Sequence, residues 1–526
     1  MKPTRWLPYL LLIIFWAVSL HNLDRFPVVS QDEPWILSPG YKLFWHGVYG
    51  SDLFAGLYGM ETHYMEFMPL MSIMLGGVAR LIGVGVWPLR YAPVVLGMLT
   101  LALTFALGRR LVGSTVGLLA MTLMVFWQWR PTGGPVLGSG LPLLDVARIA
   151  RYDILVPPLV LSGLWAYLHA RHTGQARYAC LSGLLAGLAG ATHVYGLLWG
   201  GILLTIYGYD ALIPSPSPTR GAARRFIGFS LSLAVIWLGL AVWPLLYWDD
   251  FLHQQNLNGQ YFDLFNLAFY RDNFLREPQR YGLGWSEPGL WNRLGVWLLV
   301  IGIPLTLIWL GWQAMRQRDW RARLLLVPAV CIPVVSALLI QHKLFNYLIS
   351  VVPMFALIVS WSGVRWFRTA QRPGRVVCLA ALTLMVGQGT WAMIQMQQHA
   401  GQFRSPQKFL AELRQAVPPG QRILGTHDYW LALPDRDYRS YAVPIYLSDA
   451  NHNPVPLTFG KALAQIAPEI VLLDSRMLTV LNTDGSPAKR ARSEQFWAYM
   501  RQHRAHLIAE VFNHLGDKVQ VYQLDE

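Results

Sequence analysis

Two adjacent carboxylates, Asp32 and Glu33, follow the first apolar stretch of the chain in the segment "SQDEPWILSPGYKLFWHG". Paired carboxylates can act as general bases and can stabilise positive charge that develops during a reaction. The same residues precede Pro34 in a first helical turn, where Asp32 could be an N-cap and Glu33 a dipole-matched acid. Both interpretations stay open at this level, and they are compatible because a capped carboxylate is held in one orientation.

A second charged group occupies the segment "DVARIARYDILVPP", which contains Asp145, Arg148, Arg151 and Asp153. Asp153 stands immediately before an apolar run. Ionisable side chains at the edge of a membrane segment are costly unless they are paired, so they are candidates for function. The alternative is an Arg151–Asp153 pair that only anchors a helix at the interface.

Three residues, His63, Glu66 and His193, are candidate ligands for a divalent metal, and His342 with Lys343 could bind a phosphate group. His63 and Glu66 are three positions apart and would share one face of a helix. No compact ligand motif is present, and a single histidine at a helix end is more often simply hydrogen-bonded. A metal is therefore possible, and the sequence indicates no other cofactor.

The composition indicates a multi-pass membrane protein. The 526 residues are 54% hydrophobic and 14% charged, whereas soluble domains carry about 25% charged residues. The net charge of +14 comes from basic residues in short segments between apolar runs, as the positive-inside rule requires, and no nucleic-acid motif accompanies them. Nucleic acid is therefore excluded as a partner, and membrane lipids are expected. The three cysteines lie within apolar runs and predict no disulfide.

Apolar periodicity predicts about eleven transmembrane helices, at approximately 6–20, 91–108, 114–129, 154–169, 179–193, 195–213, 226–246, 290–314, 324–340, 344–364 and 376–394. The run 67–86 is interpreted as an interfacial helix, because this choice places every basic loop on one side. The N-terminus is then cytoplasmic in the plasma (inner) membrane. Asp32, Asp153 and the C-terminal tail are extracytoplasmic. The first run resembles a signal peptide, but its composition favours an uncleaved helix.

The sequence changes character near residue 395, which predicts a transmembrane domain at 1–394 and an extracytoplasmic α/β domain at 395–526. Beyond this point the chain becomes polar, and strand-like segments alternate with helical ones. We expect strands within "RILGT", "EIVLLD", "HLIAEVFN" and "KVQVYQL". Earlier in the chain, the outer loop 247–289 carries Arg271, Arg276 and Arg280, which could cover a sugar–phosphate site or only contact lipid headgroups.

Several segments together resemble the membrane glycosyltransferases of the GT-C superfold, in the group that includes protein O-mannosyltransferases and the aminoarabinose transferase of lipid A. The resemblance covers about residues 1–365, and the outer-loop "DE" is its most specific element. The other matching segments are "THYMEFMPL", "LRYAPVVLGMLTLALTFALGRRLVG", "RYDILVPPLVLSGL", the Thr-His after the fifth span and "HKLFNYLISVVPMFALI".

The resemblance implies transfer of a sugar from a dolichyl- or undecaprenyl-phosphate donor to an acceptor hydroxyl on the outer face of the membrane. Asp32 matches the carboxylate that such enzymes use near the acceptor, with Glu33 beside it, and Asp153 matches a second acid. Arg151, His342 and Lys343 are then expected to bind the donor phosphate. Relatives often have Lys-Pro-Pro before the second interfacial helix, where this chain has Glu66-Phe67-Met68-Pro69, so which cation meets the phosphate stays open.

Two rival functions remain at this level. A lipid or polysaccharide transporter or flippase would favour inverted repeats and acids at mid-membrane depth, whereas these acids gather at one face and no repeat is visible. A non-catalytic membrane assembly protein would tolerate replacement of Asp32 and Asp153. The sugar, hexose or pentose, is not specified, and neither is the acceptor, which could be a protein, a lipid or a glycan.

Overall fold

The computed structural model describes residues 6–129, 138–213, 221–257, 265–281, 294–453, 455–481 and 487–525. Helices dominate its first 400 residues. They are α1 Leu7–Leu20, α2 Asp32–His46, α3 Pro69–Ile82, α4 Val86–Leu111, α5 Ser114–Phe126, α6 Pro142–Ala147, α7 Val156–Thr173, α8 Ala176–Gly190, α9 Val194–Leu212, α10 Ala222–Leu246, α11 Trp248–Asn256, α12 Leu267–Leu275, α13 Glu277–Arg280, α14 Leu294–Trp297, α15 Ile303–Arg316, α16 Trp320–Leu339, α17 Val352–Thr369 and α18 Arg372–Ala400.

Six helical segments of the described chain are long and apolar enough to cross a membrane. They are Val86–Leu111, Tyr152–Thr173, Ala222–Leu246, Leu294–Arg316, Trp320–Leu339 and Arg372–Ala400. A helix occupies each of the other predicted runs as well, although several are shorter than the roughly 20 residues that a crossing needs. The predicted start at 344 is too early, because a 3₁₀ turn at Phe345–Leu348 precedes α17. The fold class predicted from sequence, a helical polytopic protein with a small C-terminal α/β part, is confirmed.

Helices α2 and α3 form the first outer segment and pack with their backbones in close contact. A Cβ atom added to Gly40 would lie 1.8 Å from the carbonyl oxygen of Ser72, and one added to Gly76 would lie 2.4 Å from Gly40. Only glycine permits such an approach. With 14 residues, α3 is about 21 Å long at 1.5 Å per residue. That length is too short to span the hydrocarbon core, as expected for an interfacial helix.

The C-terminal part is a five-stranded sheet with helices, in the strand order β2-β1-β3-β5-β4. Strands β1, β2 and β3 are mutually parallel, whereas β5 is antiparallel to β3 and to β4. All four predicted strands are present, and the three-residue β2 was missed. The elements are α19 Pro406–Ala416, β1 Ile423–Gly425, β2 Tyr438–Ser440, α20 Ala442–Ser448, α21 Phe459–Ile466, β3 Ile470–Leu473, α22 Ser475–Leu481, α23 Pro487–Gln502, β4 His506–Phe512 and β5 Lys518–Gln523.

The α/β part contacts the outer helix α2 through aromatic side chains. Trp35 stacks on His427 with ring centroids 4.9 Å apart and an interplanar angle of 9°. Tyr41 meets the Trp430 ring edge-on at 5.3 Å. Helix α18 continues to Ala400, six residues beyond the predicted boundary at 394. The α/β part therefore lies against the element that begins with Asp32.

Candidate functional site

Asp32 is the first residue of α2, and its carboxylate does not cap the helix. The N-cap position belongs to Gln31, which makes no side-chain cap hydrogen bond. The Asp32 carboxylate is instead bonded to the guanidinium of Arg151, with Nη1 2.5 Å from Oδ2, and its side chain is 34% exposed. The cap interpretation from the sequence is therefore wrong, and this carboxylate points towards a residue 119 positions away.

Arg151 also binds Asp153, so one guanidinium joins two carboxylates. Its Nε lies 3.0 Å from Asp153 Oδ2. The Asp153 side chain is 1% exposed, and its other oxygen, Oδ1, has no hydrogen-bond partner within the described chain. We call Asp32, Arg151 and Asp153 the anionic centre, because two carboxylates and one guanidinium carry a net charge of −1.

Glu33 lies outside the anionic centre and is fully enclosed. Its carboxylate receives three hydrogen bonds from Arg90, at 2.9 to 3.1 Å, and both side chains are 0% exposed. Arg90 also donates to the carbonyls of Leu23 and Pro27. Burial raises the pKa of Glu33, and the charge of Arg90 opposes this rise. The geometry gives Glu33 a structural position, and its predicted catalytic role stays a prediction.

A second buried arginine, Arg148, donates hydrogen bonds to the same connection. Its guanidinium donates at 2.6 to 3.1 Å to the backbone carbonyls of Val18, Ser19, His21, Asn22 and Phe26. Sequence reasoning identified Arg148 but missed Arg90. The sequence signal for Arg90 was a single charge inside the apolar run of α4, because an unpaired charge in a membrane costs free energy. Together the two arginines fix the connection that leads into Asp32.

Aromatic rings extend from the anionic centre towards the end of α16. His193 stacks on Tyr152 with ring centroids 4.4 Å apart, on Tyr195 at 4.5 Å and on Tyr347 at 5.6 Å. Tyr347 interacts with Tyr152 and with the charges of Arg151 and Asp153. None of the three tyrosines was identified from the sequence, because tyrosine is common in any membrane interface.

The other end of this aromatic group meets a cluster with the opposite net charge. Glu277 pairs with Arg280 at 2.7 Å and with Lys343 at 3.0 Å, and Tyr195 interacts electrostatically with Arg280. We call Glu277, Arg280 and Lys343 the cationic centre, since one carboxylate and two cations carry a net charge of +1. Burial lowers the pKa of Lys343. His342 is exposed, and no hydrogen bond or ion pair within the described chain joins it to this cluster.

The structure does not assemble the three predicted metal ligands into one site. His63 binds Asp250 through Nε2 at 2.7 Å and Thr62 through Nδ1 at 2.8 Å, and His193 lies among the tyrosines. No group of three histidine, cysteine, aspartate or glutamate side chains that could hold a metal occurs in the described part of the chain. Each histidine has a different partner, so the described residues do not assemble this ligand set, and metal binding stays a prediction.

Glu66 is instead a buried carboxyl group beside the same aromatic region. Its Oε2 accepts hydrogen bonds from Trp35 at 2.9 Å and from Tyr64 at 3.1 Å. Burial raises the pKa of Glu66 to about 8, against the two hydrogen bonds, and the nearby charge of Asp32 adds to the rise. At neutral pH this group is predominantly protonated and contributes no charge to the anionic centre.

The membrane-length helices and the small C-terminal sheet define a polytopic membrane protein. Among solved structures, ArnT from Cupriavidus metallidurans bound to undecaprenyl phosphate is similar over 99% of this chain and 98% of its own, with 14% identity and a TM-score of 0.62. AglB, an oligosaccharyltransferase from Archaeoglobus fulgidus in complex with an inhibitory peptide and a dolichol-phosphate, is similar over 99% of this chain and 74% of its own. The identity there is 11% and the TM-score 0.59.

A further structure of the Archaeoglobus fulgidus oligosaccharyltransferase, with Zn and sulfate, covers 89% of this chain and 68% of its own at 12% identity and a TM-score of 0.58. At these identities the likeness is one of fold. The sequence matches no protein-family model and no curated protein.

Proposed function

We propose that this chain is an integral membrane glycosyltransferase that moves a sugar from a polyprenyl-phosphate-linked donor to an acceptor hydroxyl on the outer face of the membrane. The observation that carries the proposal is the bridge of Arg151 between Asp32 and Asp153. Two acids from distant segments converge on one guanidinium beside an aromatic surface. The protein shares its fold with structures that contain undecaprenyl phosphate or dolichol-phosphate.

Charge separation between the two centres suits this chemistry. Transfer from a lipid phosphate releases an anionic leaving group and generates positive charge at the sugar carbon. The cationic centre, with Arg280 and Lys343, would stabilise the phosphate, and the anionic centre would stabilise the sugar. Arg151 is already neutralised by two carboxylates, so we assign the phosphate to Lys343 and Arg280 and leave Arg151 to hold the acids.

Asp32 is the better candidate for the general base. It is one-third exposed, whereas the Asp153 side chain is 1% exposed, so an acceptor hydroxyl can reach Asp32 more readily. A positioned base typically accelerates proton transfer about 10²–10⁴-fold. Asp153 would orient the donor through its unpaired Oδ1.

The test is an Asp32→Asn variant compared with Asp272→Asn, whose carboxylate forms an exposed pair with Arg271. Release of polyprenyl phosphate from a panel of undecaprenyl-phosphate hexoses and pentoses would be measured by mass spectrometry in membranes that supply acceptors. We expect turnover by Asp32→Asn to fall at least about 100-fold, with unchanged thermal stability, while Asp272→Asn stays active. Near wild-type turnover by Asp32→Asn would exclude the proposed base.

A further inference from the structure

Polar residues of the α/β part gather at one edge of its sheet. Thr426, His427 and Asp428 directly follow β1, Asp474 follows β3, and Asn513 and His514 form the turn from β4 to β5. Because β1 and β3 are parallel, their carboxyl ends lie at the same edge of the sheet. The chain passes from β1 to β2 on one side of β1, and then crosses back to β3 on the other side, so the direction of strand addition reverses at β1. In open α/β sheets, ligands bind at the carboxyl ends of the strands where the strand order reverses, a place called the topological switch point.

The side chains at this edge are buried but incompletely hydrogen-bonded. The residues are 0 to 5% exposed. Within the described chain, the atoms without a hydrogen-bond partner are Thr426 Oγ1, His427 Nδ1, Asp428 Oδ1, Asn513 Nδ2 and both ring nitrogens of His514. The large majority of buried side-chain polar atoms in proteins have a hydrogen-bond partner. So many orphan atoms on neighbouring loops point to a ligand.

The charges at this edge of the sheet indicate the chemistry of that ligand. Arg476 binds Asp428 at 2.5 Å and Asp474 at 3.2 Å, so this guanidinium is already neutralised and the three side chains carry a net charge of −1. An anionic group such as a phosphate finds no uncommitted cation among these residues. The orphan atoms include both donors and acceptors, and this mixture matches hydroxyl groups, which donate and accept at once.

This edge of the sheet also lies beside the helix that carries the proposed base. Tyr441, which follows β2, receives a hydrogen bond at 3.4 Å from Gln31, the residue before Asp32. His427 stacks on Trp35, and Trp35 is three residues after Asp32. A molecule held at the carboxyl edge of the sheet would therefore sit at the acceptor side of the anionic centre.

We propose that the carboxyl edge of β1 and β3 is the acceptor-binding site, and that the acceptor is a neutral, hydroxyl-rich saccharide bound through Asp428, Thr426 and His514. The inference rests on the proposed function, in which Asp32 removes a proton from an acceptor hydroxyl. It adds the location and the chemical class of that acceptor. The new glycosidic bond would form at the hydroxyl oxygen, with its proton passing to Asp32 and the lipid phosphate leaving.

The experiment is saturation-transfer NMR on the detergent-solubilised full chain with the methyl pyranosides of glucose, galactose and mannose as probes. We expect a signal from at least one pyranoside, reduced at least fivefold in Asp428→Asn and in Thr426→Val. The valine variant removes an orphan hydroxyl with little change in shape, so it is expected to fold. Asp435→Asn, which alters an exposed pair with Arg414, serves as the matched control and should retain the signal.

Equal signals in the wild type and both variants, or no signal from any pyranoside, would overturn the saccharide site. If Thr426→Val is more stable and binds as before, the orphan atoms hold structural water only. Binding of a short threonine-containing peptide, sensitive to Asp428→Asn, would favour a protein acceptor instead. The same samples are also titrated with undecaprenyl phosphate, which tests the proposed donor separately from the proposed acceptor site. Failure of lipid binding with retained pyranoside binding would contradict the donor assignment alone.

Discussion

Arg151 is the residue on which the anionic centre depends. Two carboxylates close to one another repel, and a buried one such as Asp153 is costly unless a cation faces it. A guanidinium presents several donors in a fixed fork, so it can bind both acids at once, which a lysine ammonium does less well. Glu33 shows the contrasting case, since its neighbour Arg90 donates hydrogen bonds to both of its carboxylate oxygens and both side chains are 0% exposed.

Replacing Arg151 by glutamine should reduce both stability and transfer. Removing one partner of a buried ion pair typically costs about 3–5 kcal/mol, and we expect turnover to fall at least about 100-fold. The matched control is Arg271→Gln, because Arg271 is exposed and its pair within the described chain is with the exposed Asp272. The double variant Arg151→Gln/Asp153→Asn should recover thermal stability without recovering turnover. Recovery of both would mean that the bridge is only structural.

Glu66 should give the protein a stability that falls as pH rises. Its carboxyl has a pKa of about 8 in the folded chain and 4.5 as its ordinary value. Between these values the unfolded state releases a proton that the folded state keeps, so ionisation favours unfolding. Thermal unfolding measured from pH 5 to pH 8.5 should show a declining melting temperature. Glu66→Gln should flatten this decline, and an unchanged slope in that variant would contradict the assignment.

At the scale of elements, the position of Asp32 depends on how α2 packs on α3. The two backbones touch at Gly40 and Gly76, and two buried arginines fix the loop before α2. The sequence predicts both helices from their apolar patterns and Pro34. It does not predict their contact, because two glycines 36 positions apart carry no signal that they meet.

The variant Gly76→Ala should displace α2 and lower transfer. Its added methyl group would lie 2.4 Å from the backbone of Gly40, a separation that requires the helices to move apart. Gly77→Ala is the matched control one position along α3, where the methyl group meets the Phe44 ring at an ordinary 3.4 Å. Turnover and melting temperature are measured for both variants to test whether the close helix contact positions the site. Equal behaviour of the two would show that the close helix contact does not position the site.

At the scale of the whole molecule, the protein consists of a membrane-spanning helical part and an α/β part that rests on its outer helix. The contacts between Trp35 and His427, and between Ser405 and Asp24 at 2.8 Å, join the two. Since α2 carries the proposed base, the α/β part must lie on the same side of the membrane as the reaction. We propose that this side is extracytoplasmic, as the basic loops indicate.

Cysteine labelling tests this orientation. In a variant without the three native cysteines, Lys408→Cys should react with a membrane-impermeant maleimide on intact cells, because Lys408 is exposed on α19. Arg177→Cys, exposed at the start of α8, should react only after the membrane is permeabilised. The reverse pattern would invert the topology and place Asp32 on the cytoplasmic side.

The sequence by itself determined the membrane class, the approximate helices and four of five strands, and it identified Asp32, Arg151 and Asp153 as candidate site residues. Composition and periodicity are local properties, so they can be read along the chain. Only the tertiary structure decided that Arg151 bridges Asp32 and Asp153 and that Glu33 forms an ion pair with Arg90. It also decided that His63 and His193 have separate partners. Those outcomes depend on contacts between residues that are tens to hundreds of positions apart. Packing and burial select these contacts, and no local sequence pattern records them.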